Sequence, residues 1–333
     1  MNLPVGSAAA RVDWIPIALT VAIALGALAS IGNPSTWLTL TIAGLAMGLL
    51  IFLMASGLTL VFGLMDVMNF AHGVFIAVGA YVAASVMKFF AGPAEADSFL
   101  VNLGALVPAM LAAMLAAALL GWFFERVIIR PVYGQHLKQI LITTGGLIVA
   151  EQLIIVFWGP DLIPVERPLT LRGSFVIGDM ALEKYRLSAV AIGLAVFAVM
   201  MLVLNRSKIG LLIRAGVENK EMVEAMGYRI RRLFVGVFVA GSALAGLGGA
   251  LWGLYQRDVT VHIGAQMMVL IFIVIIIGGL GSVGGCFIGA LLVGLLTNYV
   301  GYLAPKIALG TNILLMVLIL LWRPQGLYPV NKQ

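Results

Sequence analysis

Charge is what this chain lacks. Of its 333 residues only 10% are Asp, Glu, Lys or Arg, while 62% are hydrophobic. Soluble domains are about a quarter charged, so these side chains cannot cover a water-facing globule. A single cysteine, Cys286, excludes an internal disulfide. The three histidines, His72, His136 and His262, lie far apart with no metal-ligand spacing. No lysine follows a glycine, so the Gly-Lys-[Ser/Thr] ending of a phosphate cradle is missing and a P-loop ATPase is excluded. No nucleophile–base arrangement stands out. The formal net charge of +6 does not indicate nucleic acid, because the basic residues are scattered over short connections and form no stripe.

Long apolar runs are what the chain has. Several approach or exceed ~18 residues with few charges, the length that crosses a bilayer core as a helix. They are continuous, whereas a barrel strand would alternate with period two. In lipid each backbone N–H and C=O must be paired internally. The fold expected is therefore an all-α integral membrane protein: a single domain over 1–333, a polytopic bundle of about ten transmembrane helices. The spans fall roughly at 13–31, 37–62, 71–90, 103–124, 139–158, 187–205, 233–254, 265–280, 284–303 and 307–322.

Charge between the runs orients the bundle. The connection near 125–138 carries Arg126, Arg130 and Lys138, and that near 206–232 carries seven Lys or Arg. The connection at 91–102 holds Glu95 and Asp97 but no Lys or Arg, and 159–186 is mixed in sign. Placing the basic connections in the cytoplasm puts both termini there too, with Arg11 and Arg323 on the same face. Arg11, the first apolar run and Ala27-Leu28-Ala29 also mimic a signal peptide. The charged region ahead of the run is thin, which favours an uncleaved span.

Two segments read as broken helices. Gly63-Leu-Met-Asp-Val-Met-Asn-Phe-Ala-His-Gly73 sets Asp66, Asn69 and His72 between apolar runs, and Gly278-Gly-Leu-Gly-Ser-Val-Gly-Gly285 is the second. Irregular backbone at membrane depth survives only inside protein or against a watery cavity, and transporters place their pathway there; a plain surface loop is the other reading. The Gly279–Gly284 stretch spells a dinucleotide fingerprint, but an apolar run follows it and no acid lies about twenty residues on. Glu151 sits mid-span beside Gln152, with Thr144 seven residues earlier on the same face. An acid there costs at least ~2.5–3.5 kcal/mol, so it must pair or face water. The candidate pathway set is Asp66, Asn69, His72, Thr143, Thr144, Glu151, Gly278 and Gly281.

The longest polar connection reads Arg214-Ala-Gly-Val-Glu-Asn-Lys-Glu-Met-Val-Glu-Ala-Met-Gly227. A helix over 217–226 ended by Gly227 is too short to stand alone in water and should dock on something. Glu218-Asn219 followed by Glu224-Ala225-Met226-Gly227 resembles the coupling loop of ABC importer permeases. Gly57-Leu-Thr-Leu-Val-Phe-Gly-Leu-Met, Met68-Asn-Phe-Ala-His-Gly73, Gly79-Ala-Tyr81, Phe234 to Gly253, Gly278 to Gly285 and Arg323-Pro-Gln-Gly-Leu327 are similar to segments of the branched-chain amino acid and urea permease family, the LivH type. The likeness runs from about 40 to 328 and departs at Asp66 and in a longer outer segment near 160–186.

That resemblance implies a permease subunit of an ATP-driven importer for branched-chain or hydrophobic amino acids in a bacterial inner membrane. Urea, amides or aromatic acids are the alternative substrates, and a secondary transporter the alternative class. It implies a second, LivM-type permease, two cytoplasmic ATPases and a periplasmic solute-binding protein, besides membrane lipid and no nucleic acid. No cofactor is expected in this chain, since ATP and Mg belong to the ATPases, and no enzyme activity of its own. Arg214, Glu218, Asn219, Glu221, Glu224, Ala225 and Gly227 are the implied coupling residues.

Overall fold

The structure is a computed structural model that describes residues 14–328, without the side chains of Val217, Glu218, Lys220 and Leu309. Arg11 lies outside the described residues. Each of the ten apolar runs is helical: α1 Ile15–Ile31, α2 Pro34–Met65, α3 His72–Phe89, α5 Phe99–Phe124, α6 His136–Trp158, α7 Lys184–Arg206, α10 Ile230–Gln256, α11 Ile263–Gly278, α12 Val283–Leu303 and α13 Ala308–Trp322. Three short helices join them: α4 Ala91–Ala94, α8 Lys208–Glu218 and α9 Lys220–Ala225. Seven of the ten, α2, α3, α5, α6, α7, α10 and α12, are long and apolar enough to cross a membrane. The other three have 17, 16 and 15 residues, fewer than the ~20 of an upright crossing.

Burial separates an inner layer from an outer one. The most apolar window of α2 is 78% buried, that of α6 only 11%. A helix apolar all round that is buried inside is a core helix, and one left outside must face lipid or a partner. Small residues set the inner contacts: a Cβ on Gly48 of α2 would meet the Ala290 carbonyl of α12 at 2.6 Å. The small-residue face of α10 lies over α2, α3 and α5.

The chain packs as two similar halves. α5 runs along α10 as α12 runs along α2, and α6 touches α3 as α13 touches α11. Gly57 lies against Gly241, and Met54 against Gly248, so α2 and α10 are antiparallel. Two four-helix sets of opposite direction are the form of an inverted-topology repeat. We call the end carrying Arg126, Arg130 and Arg229–Arg232 the basic end.

The far end carries two short strand pairs. Strands β1 Ile163–Pro164 and β4 Asp258–Val259 pair antiparallel, as do β2 Ser174–Ile177 and β3 Met180–Glu183. β2 and β3 form a hairpin around Gly178-Asp179, with glycine of positive φ (59°) at the first turn position as in a type II′ turn. This is the outer segment in which the sequence departs from the family it resembles.

Candidate functional site

The first break lies where the sequence put it. α2 ends at Asp66, a non-glycine residue with φ 55°, a conformation that Asp tolerates better than most. The backbone then leaves the helix until His72. His72 is buried and its Nε2 donates to the Met54 carbonyl at 2.9 Å. Met54 stands eleven residues before Met65, so the non-helical stretch climbs about 16 Å back along α2. Residues 66–71 are thus re-entrant backbone inside the bundle, not a surface loop.

Side chains satisfy that backbone. The Asn69 Oδ1 accepts from the Ala71 N–H at 3.1 Å, and the Phe70 N–H donates to Thr143 Oγ1 at 3.2 Å. Thr143 in turn donates to the Gln139 carbonyl at 2.6 Å. Asn69 Nδ2 is buried without a partner. Asp66, whose side chain is 48% exposed, lies 3.8 Å from His136 Nε2 at the start of α6. The structure therefore strings Asp66, Asn69, His72 and Thr143 along one re-entrant path between α2, α3 and α6.

A second re-entrant segment escaped the sequence reading. α10 ends at Arg257, again a non-glycine residue of positive φ (68°), and α11 begins after His262. His262 Nδ1 is 3.7 Å from Glu151 Oε1. Glu151 is seven residues short of the end of α6, so this contact lies about 10 Å below that end. The two re-entrant tips touch: a Cβ on Gly73 would meet the Gly264 carbonyl oxygen at 2.7 Å, and one on Gly264 would meet that of Gly73 at 2.3 Å. Only glycine permits so close a backbone approach. The signal was present, since Asp66-Val67 with His72-Gly73 is echoed by Asp258-Val259 with His262-Ile263-Gly264.

His262 Nδ1, 3.7 Å away, is beyond hydrogen-bond reach, so the buried Glu151 Oε1 has no hydrogen-bond partner among the described residues; its side chain is 16% exposed against 70% for His262. Thr144 does not join it in the interior; it is exposed on the outer flank of α6, as is Gln152. Gly278 and Gly281 belong to a different place again. The turn between α11 and α12 sits at the basic end, with Gly281 against Gly63. Tail residues Leu327 and Tyr328 donate N–H groups to the Ile277 and Gly278 carbonyls, capping α11. Leu280 is exposed. This segment is a capped turn rather than a second deep break, and Gly278 and Gly281 serve its close packing.

The coupling segment is also cut differently from expectation. One helix over 217–226 was expected; there are two, α8 and α9, divided at Asn219. Asn219 accepts from the Met222 N–H at 2.9 Å and starts α9 as its N-cap, which a continuous helix could not allow. α8 packs beneath α2, with Gly216 facing Leu64. Gly227 has φ 85°, as a left-handed terminator should. Glu221, Glu224, Ala225 and Gly227 are exposed, while Val223 is buried and anchors α9. Exposed Met222, Met226 and Tyr228 flank the two acids. Arg214 is exposed and donates to Asn205 Oδ1 at 3.3 Å. The Glu218 side chain lies outside the described residues.

At the far end, Arg167 is buried and donates to the carbonyls of Leu254 and Tyr255 and to the carboxylate of Glu183. Glu183 also pairs with Arg186 and Arg257. Burial alone would raise the Glu183 carboxyl, but the bond and charge of Arg167, with Arg186 and Arg257, hold it below the usual carboxylate range. Among the described residues no cluster of three or more His, Cys, Asp or Glu could hold a metal ion.

An all-helical bundle with re-entrant breaks inside it and a helix pair outside it defines a polytopic membrane transport protein. A family model for the branched-chain amino acid transport system permease component matches residues 40–322, and the chain belongs to that family. It is 29% identical to the high-affinity branched-chain amino acid permease BraD of Pseudomonas aeruginosa, over 85% of this chain and 93% of that one. It is 27% identical to LivH of Escherichia coli K12, over 85% and 92%. The similarity to the probable permease LivM of Methanocaldococcus jannaschii is 24%, over 84% and 90%. No solved structure matches.

Proposed function

We propose that this chain is the permease subunit of an ATP-driven importer carrying branched-chain amino acids across the bacterial inner membrane, its basic end in the cytoplasm. The family match over 40–322 is the observation that supports the reading most directly. The partners are a second permease of the LivM type, two ATPases holding ATP and Mg, and a periplasmic solute-binding protein. α9 presents Glu221, Glu224, Met222 and Met226 to an ATPase groove. α8 passes the push to the end of α2, next to the re-entrant segment at 66–71. Asp66, Asn69, His72, Thr143 and Glu151 flank the solute's path, with α6 as its loosely held wall. Placing the basic connections inside also puts both termini there.

The test is reconstitution of the complex in liposomes with leucine-loaded and urea-loaded receptor. Leucine-loaded receptor should stimulate ATP hydrolysis and uptake, because coupling between the two faces is reciprocal. Glu221→Arg and Gly227→Leu should abolish that stimulation, and the substitution at Gly227 should cost on the order of 1 kcal/mol at its left-handed backbone. Melting of the isolated chain should stay near wild type. Full stimulation in both variants would reduce the 208–228 segment to a linker, and hydrolysis by the chain alone would sink the assignment.

A further inference from the structure

Five arginines at the basic end, used above only to orient the bundle, gather in one place beside Glu224 of the coupling segment. Arg126 lies in a π-helical turn, Glu125–Ile129, that follows α5, and Arg130 comes directly after it. Arg229, Arg231 and Arg232 begin α10. All five line one pocket of about 450 Å³ at the basic end, together with the carboxylates of Glu125 and Glu224. Glu125 is already engaged, accepting from the Tyr133 hydroxyl at 2.5 Å. None of the five guanidiniums makes a hydrogen bond or ion pair among the described residues. Five cations gathered in one concavity against two acids repel one another, and the arrangement calls for an anion.

The position says which anion. Both segments sit where a membrane-crossing helix leaves or enters the apolar layer, the level of lipid headgroups. One turn deeper on α5, Trp122 and Phe123 are half-exposed, and Val127 lies beside Arg126 on the same open flank. Aromatic residues at this depth mark the membrane interface. A phosphate held in the pocket would carry its acyl chains onto that apolar flank, a contact that an acidic protein loop would not make. Guanidinium forks bind phosphate oxygens bidentately.

We infer that the pocket of Arg126, Arg130, Arg229, Arg231 and Arg232 binds the phosphodiester headgroup of an anionic phospholipid, its acyl chains lying along Trp122, Phe123 and Val127. The site joins the end of α5 to the start of α10, two helices that pack together along the bundle. Bound lipid ties the turn beside the coupling segment to the inner core. This inference does not depend on which solute is carried.

Native mass spectrometry of the full chain, with phosphatidylglycerol or phosphatidylcholine of matched acyl chains, tests it. The wild type should retain the anionic lipid by at least about tenfold over the zwitterionic one. Arg130→Gln with Arg231→Gln should erase the preference, while Arg206→Gln, outside the pocket, should keep it. Should the double variant fail to fold, a salt titration of the wild type decides: the preference must fall between roughly 0.05 and 0.5 M salt. Equal retention of both lipids overturns the proposal. So does complete displacement by millimolar inorganic phosphate, which would mark a soluble-anion site. Loss of ATPase association in the double variant with lipid retention unchanged would give the pocket to the ATPase instead.

Discussion

The two re-entrant segments occupy equivalent places in the two halves, yet they are held by different means. Residues 66–71 have no strand partner; Asn69, His72 and Thr143 supply single hydrogen bonds, and one buried amide proton pair of Asn69 goes unmet. Residues 257–262 are stitched to the outer segment by the β1–β4 pairing, by the Val165 N–H to the Arg257 carbonyl, and by the ion network around Glu183. Local opening costs least where backbone is secured by few contacts. The expectation is that the segment near the coupling helices rearranges more readily than the one under the outer segment.

Breaking the stiff side should cost most. Arg167→Met removes the cation that holds the Leu254 and Tyr255 carbonyls and leaves Glu183 short of a partner, a loss of about 3–5 kcal/mol. Thermal melting and limited proteolysis at 159–183 should both register it. An unchanged melting temperature would remove the clamp from the argument. Next in size is Gly264→Leu, which overpacks the meeting point of the two tips by about 1–3 kcal/mol. Gly73→Leu should match it, because the contact is reciprocal; a large difference between the two variants would mean that the tips do not share one contact.

Asn69→Leu should act mainly on movement. It strands the Ala71 N–H, at about 1–3 kcal/mol, and should lower uptake roughly tenfold, a barrier change of about 1.4 kcal/mol, with ATPase association intact. Near-normal uptake would show that the first segment is not on the path. The smallest effect is that of acid on the second segment. Since the folded Glu183 carboxyl is held below its ordinary value, its contribution is present above the unfolded carboxylate range and is lost as pH falls through the lowered value. Protease access to 159–183 should rise there before access to 66–71 does.

Apolar length made the helices readable from the sequence, because bilayer crossing imposes it on the seven that are long enough to span. The first break was readable because Asp66, Asn69 and His72 interrupt an apolar run. The second was hidden, since a polar connection between α10 and α11 is expected anyway and depth leaves no mark on composition. Gly278–Gly285 misled for the converse reason: glycines that serve close packing look like glycines that serve an irregular path. The division at Asn219 turned on one side chain choosing its own helix's N–H, a choice that propensity does not record. Glu151 could be marked as needing a partner, but His262, 111 positions away, could not be found without the fold.

The length of α2 has a mechanical consequence. Its 32 residues make a rod of about 48 Å, longer than the ~30 Å hydrocarbon layer. At one end Leu64 bears on α8, and at the other the Trp37 indole donates to the Ala24 carbonyl of α1 at 2.8 Å. A stiff rod converts a small angular kick into travel: five degrees at the foot displaces the head by about 4 Å. Torque applied beneath one face of the membrane would therefore reach the opposite face without any intermediate joint.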